Sequence, residues 1–167
     1  ARLNYNWKSR YYLTVTGRYD GASNFAANNK WAFFPSAALK WNISNENFLK
    51  DCNWIDDLSL RLSAGLTGND AISTYRSLAT LSSTTGGYLF DGSQPVAFYR
   101  SRLDSPDLTW EKTTAYNVAI DWSMFKGRLN ITAEAYKSKT TDLLMSLAVA
   151  AQTGYTSRWT NIGSTSN

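Results

Sequence analysis

The chain has 167 residues, a formal charge of +4 with a calculated isoelectric point near 9.2, a mean hydropathy of -0.37 and 14% aromatic residues. No run approaches the roughly 18 apolar residues a spanning helix needs, the nearest being Leu147 to Ala151, so a helical membrane protein is excluded. With no histidine and a single cysteine, Cys52, an internal disulfide and the commonest metal ligand and general base are excluded too. The basic residues are dispersed rather than clustered, which argues against a nucleic-acid partner.

Six stretches alternate with strand periodicity, and in each the charges share a side. From Ala1 to Lys8, Ala1, Leu3, Tyr5 and Trp7 oppose Arg2, Asn4, Asn6 and Lys8. From Tyr11 to Asp20, Leu13, Val15 and Tyr19 oppose Thr14, Thr16, Arg18 and Asp20. From Trp31 to Asn42, Phe33, Ala37, Leu39 and Trp41 oppose Phe34, Ser36, Ala38 and Lys40, with Pro35 predicting a bulge or a weakened ladder. Leu58 to Thr67 sets Leu60, Leu62, Ala64 and Leu66 against Ser59, Arg61 and Ser63. Tyr116, Val118, Ile120 and Trp122 oppose Asn117, Ala119, Asp121 and Ser123; Leu129, Ile131, Ala133 and Ala135 oppose Asn130, Thr132, Glu134 and Tyr136.

One-sided charge over so many strands predicts an all-β, antiparallel transmembrane β-barrel wall segment, because a lysine or arginine facing lipid at mid-depth costs about 2–4 kcal/mol. The competing architecture is an antiparallel sandwich or soluble barrel, whose strands also alternate. Connections support the wall. Ser9-Arg10 and Lys126-Gly127 are tight turns and Ser44 to Asp57 is a medium connection, whereas Gly21 to Lys30, Gly68 to Leu108 and Thr141 to Thr160 are long and polar. Barrels of the outer membrane place short turns on the periplasmic side and long loops outside. Trp7, Tyr11, Trp41 and Trp122 flank the short turns and Tyr19 and Trp31 a long loop, the two girdles expected of membrane-interface aromatics. The medium connection predicts a short helix capped by Ser44, with Asn47 at its third position and Phe48-Leu49 making an apolar contact; Cys52 behind it reads as a small buried side chain.

Lumen-facing polar candidates are Arg18, Lys40, Arg61 and Glu134, whose mixed signs suit ion pairing better than an ion filter. The segment Gly68 to Leu108, read as a long structureless loop, supplies substrate or partner contacts in Tyr75, Tyr88, Phe90 and Tyr99. An enzyme lacks its parts: there is no histidine for a Ser/His pair, no Gly-x-Ser-x-Gly elbow and no metal-ligand cluster, with Asp107 and Glu111 the one carboxylate pair to consider. No cofactor is expected. The chain opens in strand pattern without an initiator Met or leader and ends at Ser164 to Asn167 where another strand begins, so it reads as a piece of a longer polypeptide.

Its motifs, in order, are Arg18-Tyr19-Asp20-Gly21-Ala22-Ser23-Asn24-Phe25, Asn28-Asn29-Lys30-Trp31-Ala32-Phe33-Phe34-Pro35-Ser36, Ile43-Ser44 through Phe48-Leu49-Lys50, Leu58-Ser59-Leu60-Arg61 through Gly65-Leu66-Thr67-Gly68-Asn69, Leu108-Thr109-Trp110-Glu111-Lys112-Thr113, Lys139 to Leu144, Thr153-Gly154-Tyr155 and Asn161-Ile162-Gly163. Together they resemble the SusC-like TonB-dependent transporters of Bacteroidetes outer membranes. The resemblance implies that residues 1–167 are part of one β-barrel domain in the C-terminal half of a barrel of about 22 strands, with plug and N-terminal domains outside this chain. It also implies active import of glycans, oligosaccharides or peptides across the bacterial outer membrane, contact with outer-membrane lipid, a SusD-like surface lipoprotein as partner, and a TonB complex acting through a segment not in this chain. A passive porin-type barrel or a soluble carbohydrate-binding β-sheet domain is the alternative.

Overall fold

The computed structural model describes residues 1–49, 52, 54–85, 89 and 91–167. Seven strands form one antiparallel sheet: β1 (Arg2–Trp7), β2 (Tyr11–Gly21), β3 (Trp31–Asn42), β4 (Ile55–Asn69), β7 (Glu111–Met124), β8 (Leu129–Thr141) and β11 (Ser164–Ser166), adjacent in that order. Two hairpins, β5 (Thr80–Thr84) with β6 (Ala97–Arg102) and β9 (Leu144–Ala148) with β10 (Ser157–Asn161), stand in the long connections. Gly68 to Leu108 is therefore not structureless: β4 runs on to Asn69 and the loop folds into its own hairpin. All six anticipated strands form, and Ser164 onward pairs with β8 as a seventh.

Register turns alternation into two faces. The row Leu3, Val15, Ala37, Ala64, Tyr116 crosses five strands, and below it Tyr5, Leu13, Leu39, Leu62, Val118 and Ala135 form a row across six. On the opposite face Tyr12, Lys40, Arg61, Ala119 and Glu134 share one row. A slip of one residue in any ladder would send a charge through the sheet, so the pattern fixes the register. β4 and β7 pair from Ile55/Met124 to Asn69/Glu111, longer than their alternating cores, and the upper ends are polar, Thr67-Gly68-Asn69 on β4 and Glu111-Lys112-Thr113-Thr114 on β7. On the apolar side of β8, Lys137 and Lys139 follow Leu129, Ile131, Ala133 and Ala135, so the greasy band ends at the Tyr116/Lys137 pair. Leu129 to Lys137 is nine residues, the length of one tilted barrel crossing.

The tight turns keep this twist. Lys8 and Ser9 both have positive φ and Arg10 N–H bonds to the Trp7 carbonyl at 3.0 Å; Lys126 and Gly127 repeat the pattern in the β7–β8 turn. Positive φ at both central residues is the hairpin geometry that matches strand twist. Lys8 thus belongs to the turn, with its ammonium over the Trp7 ring, and not to the strand face.

Pro35 acts on one side only. Gly17 exchanges both backbone bonds with Ala1, just before β1, so its neighbour Pro35 on β3 turns its imide nitrogen away from β2 and toward β4. The β3–β4 ladder stops at Ser36/Gly65, the position before the missing donor, while β2–β3 continues to Gly21/Trp31. The strands part there, and the Phe34 ring fills the space over Gly68, where any Cβ would overlap it.

The medium connection differs from expectation. Among its described residues it holds one 3-10 turn, Ile43–Asn45, closed by the Glu46 N–H, after which the Leu49 and Cys52 N–H groups bond to the Glu46 and Leu49 carbonyls, and the Ser44 side chain caps no helix there. Its polar side chains bind neighbouring strands instead of their own backbone. Ser44 Oγ donates to Asp57 at 3.0 Å, and Asn45 Nδ2 to the Ser9 carbonyl at 2.8 Å. Glu46 accepts from Tyr11 at 3.0 Å, Trp41 at 3.2 Å and Arg10 at 3.1 Å. Phe48 is exposed and Cys52 only half-buried. Glu46 sits in a knot that ties three elements of this rim.

Partial burial opposes ionisation of Glu46, but the Tyr11 and Trp41 hydrogen bonds and the Arg10 charge together outweigh it and hold its carboxyl below the usual value. A depressed folded value contributes stability that is present above about pH 4.3, the ordinary glutamate value, and is lost as pH falls through the depressed one. Acidifying from about pH 6 to about pH 3 is expected to lower the unfolding temperature of the full-length protein more than that of its Glu46→Gln variant, measured by heat-modifiable gel mobility. Gly68→Val is expected to destabilise by about 1–3 kcal/mol through overlap with Phe34, read in the same assay, with Thr67→Val as the tolerated neighbour.

Candidate functional site

Five residues contributed by two connections and one strand make the main buried cluster: Ala22 and Phe25 after β2, Phe34 on β3, and Leu108 and Trp110 before β7. Phe25 and Leu108 are each 1% exposed. The Trp110 ring lies 5.5 Å from Phe25 and 5.3 Å edge-on to Phe34, and its Nε1 donates to the Lys30 carbonyl at 3.2 Å. This cluster folds the long loops back over the charged side of the wall.

Three asparagines pin the same loops by donating two bonds each from their Nδ2. Asn24 reaches the Asp70 and Ile72 carbonyls, Asn29 those of Pro106 and Leu108, and Asn161 those of Thr109 and Asp142. Asn161 also accepts the Thr109 N–H at 2.8 Å, closing a two-way clamp. Loop carbonyls drawn out of water need such donors, which gives the motif residues a structural task. Glu111 contributes too, accepting the Leu144 N–H at 3.2 Å and Asn69 at 3.3 Å. Asp107 is not brought to it; its side chain is almost fully exposed, 3.9 Å from Arg158.

On the charged face, Lys40, Arg61 and Glu134 fall in one row. Arg61 reaches diagonally to Asp121, with Nε at 2.6 Å and Nη2 at 3.0 Å from its two oxygens, and Thr132 adds a third donor at 3.1 Å. Such a fork-to-fork pair is directional and fixes the arginine plane. Glu134 accepts from Asn117 one strand away. Arg18 lies higher, paired with Asp20 at 2.6 Å, beside a cleft of about 440 Å³ that opens where β3 and β4 part; Phe34, Gly68, Asp70 and Trp110 line it.

The aromatics gather at the two ends. Trp7, Tyr11 and Trp41 stand in sequence, ring centroids 5.7 Å and 6.0 Å apart, and Trp54 meets Trp122 at 6.2 Å. Tyr19 stacks on Trp31 at 5.3 Å at the other end, where that ring leaves no room for a side chain on Gly21. Trp122 lies two residues below the row of Trp41, Leu60 and Ile120, so the short-turn aromatic level steps across the sheet, as tilted strands require.

Of the loop contacts, Tyr88 and Phe90 lie outside the described residues. Tyr99 lines a pocket of about 350 Å³ between the β5–β6 hairpin and the turn before β10. Tyr75 enters only through its backbone: its carbonyl accepts Arg102 Nη2 at 2.7 Å, while Arg102 Nε donates to Leu78 at 3.2 Å. Sequence reading missed Arg158 and Trp159 in this pocket, since they lie about 60 residues from Tyr99 and no periodicity joins them.

Comparison with known proteins agrees with this architecture. Residues 1–167 match the family described as TonB dependent receptor-like, beta-barrel. TonB-dependent receptor P26 of Formosa agariphila is 40% identical over the whole chain, and TonB-dependent receptor SusC of Bacteroides thetaiotaomicron is 40% identical over 171 aligned residues. The chain spans 17% of the length of each of these relatives. Among solved structures, the RagAB peptide importer in its closed-closed state superposes with a TM-score of 0.88 at 31% identity, over 99% of this chain and 18% of that one. A polar-lined, apolar-backed sheet with loops folded over its charged side, matched end to end by that family, makes these residues a stretch of outer-membrane barrel wall, and the chain belongs to the TonB-dependent receptor β-barrel family.

Proposed function

We propose that this wall belongs to a SusC-like importer that takes up nutrients too large for passive pores, glycans, oligosaccharides or peptides, with energy delivered by a TonB complex. The plug and the TonB-binding segment then lie in the rest of the protein, and a SusD-like surface lipoprotein covers the long-loop end. The observation that carries the reading is the unbroken apolar face beside a charged face furnished with paired ions, matched over every residue to a TonB-dependent receptor barrel.

In this reading Lys40, Arg61, Glu134 and Arg18 face the lumen. The Arg61–Asp121 pair, Glu134 with Asn117, and the Arg18–Asp20 pair furnish a wall of both signs that a plug surface can dock against. Trp7, Tyr11, Trp41 and Trp122 mark the periplasmic boundary of the bilayer and Tyr19 and Trp31 the outer one. Tyr75 and Tyr99 belong to the substrate-facing loops. The relatives named above are receptors and importers, and no catalytic step is assigned to this chain.

A porin or a soluble carbohydrate-binding sheet fits the family match less well, since neither calls for TonB. Uptake of the cognate nutrient by cells carrying the full-length protein is expected to fall to background when TonB is deleted, measured with labelled substrate. Undiminished uptake contradicts the proposal.

A further inference from the structure

The pocket between the two loop hairpins has a composition unlike the rest of the surface. Among the described residues it is lined by four arginines, Arg76, Arg100, Arg102 and Arg158, and by no carboxylate. Two of the guanidiniums are held in place. Arg102 is fixed by the Tyr75 and Leu78 carbonyls, and Arg158 Nε donates to Ser105 Oγ at 3.3 Å.

The other two are under-compensated. Arg76 lies over the Trp159 ring, 5.7 Å from its centroid, and its Nε is buried with no hydrogen-bond partner among the described residues. The Arg100 side chain has neither hydrogen bond nor ion pair among them. The one ion pair that any of the four makes among the described residues, Arg158 with Asp107, is long at 3.9 Å, and the Asp107 side chain is 95% exposed. Four like charges in one concavity repel one another, and a buried guanidinium N–H without an acceptor adds a desolvation cost, unless an anion completes the site.

We infer that this pocket binds acidic groups, carboxylate or sulfate, carried on a glycan substrate, which deepens and rests on the import reading above. Guanidinium forks match the planar carboxylate and the sulfate oxygens with paired donors. Around them the lining adds Tyr99 and Tyr155, aromatic side chains of the kind that stack on sugars, and the hydroxyl-bearing Thr156 and Ser157. Leu103 is the lone aliphatic side chain of the lining among the described residues.

The test is calorimetric titration of the purified full-length transporter with four probes: a galacturonate hexamer, a heparin hexasaccharide, maltohexaose and hexaglutamate. At least one of the two acidic glycans is expected to bind more tightly than maltohexaose and hexaglutamate. Arg100→Gln and Arg158→Gln, neither of which removes a bond to a loop carbonyl, are each expected to weaken that binding by about tenfold or more. Maltohexaose affinity is expected not to change in either variant, and heat-modifiable mobility verifies that both fold. Equal or tighter binding of maltohexaose, a preference for hexaglutamate, or acidic-glycan affinity untouched by both substitutions overturns the inference. Those failures beside intact TonB-dependent uptake remove the acidic assignment alone, whereas acid binding without TonB dependence removes the import reading alone.

Discussion

A β-strand shows its side chains to alternate faces, and a sheet that separates lipid from water must therefore sort its residues by parity, strand after strand, without one error in register. Here that constraint is met across six strands, with Tyr5, Leu13, Leu39, Leu62, Val118 and Ala135 in one row and Lys40, Arg61 and Glu134 opposite. The backbone contributes its share, because every interior strand is paired on both sides and only closure into a full barrel satisfies the edges β1 and β11. Everything else in the structure is arranged around keeping that two-sidedness intact while letting the loops depart from it.

The departures are localised by chemistry. At the short-turn rim, Glu46 gathers Arg10, Tyr11 and Trp41, and the connection gives up a helix to make those bonds. At the long-loop end, Pro35 ends one ladder, Phe34 fills the gap over Gly68, and Asn24, Asn29 and Asn161 fasten the loops by their carbonyls. The result is a rigid seat from which two hairpins project. Between them the arginines meet, although their own sheet positions are unrelated.

How much of this could be read in advance follows from the range of each interaction. Parity is local, so six strands, the tight turns and the grouping of aromatics by strand end were legible from residues such as Val118 and Trp122 alone. The extensions of β4, β7 and β8 were not, because Thr113, Thr114, Thr140 and the lysines beyond Tyr116 lose the apolar alternation once the strand leaves the greasy band. The Ser44 helix failed because its hydroxyl found Asp57, a tertiary partner that no capping rule contains. The β5–β6 hairpin was hidden by a bulge at Thr80/Leu81 and by strands of only five and six residues. The arginine pocket was beyond reach, since Arg76, Arg100 and Arg158 come together only after both hairpins have folded, although Tyr99 and Tyr155 were already singled out.

The central claim is directional: one face meets hydrocarbon and the other a wet interior. Spin labels placed singly on the full-length protein in bilayers test it most directly, at Leu62, Val118 and Ile131 on one side and Ser63, Asn117 and Thr132 on the other. Labels of the first set should collide preferentially with dissolved oxygen and those of the second with a water-soluble nickel chelate, switching at each successive residue. Equal access for both relaxation agents throughout, or the opposite assignment of the two sets, would contradict the account.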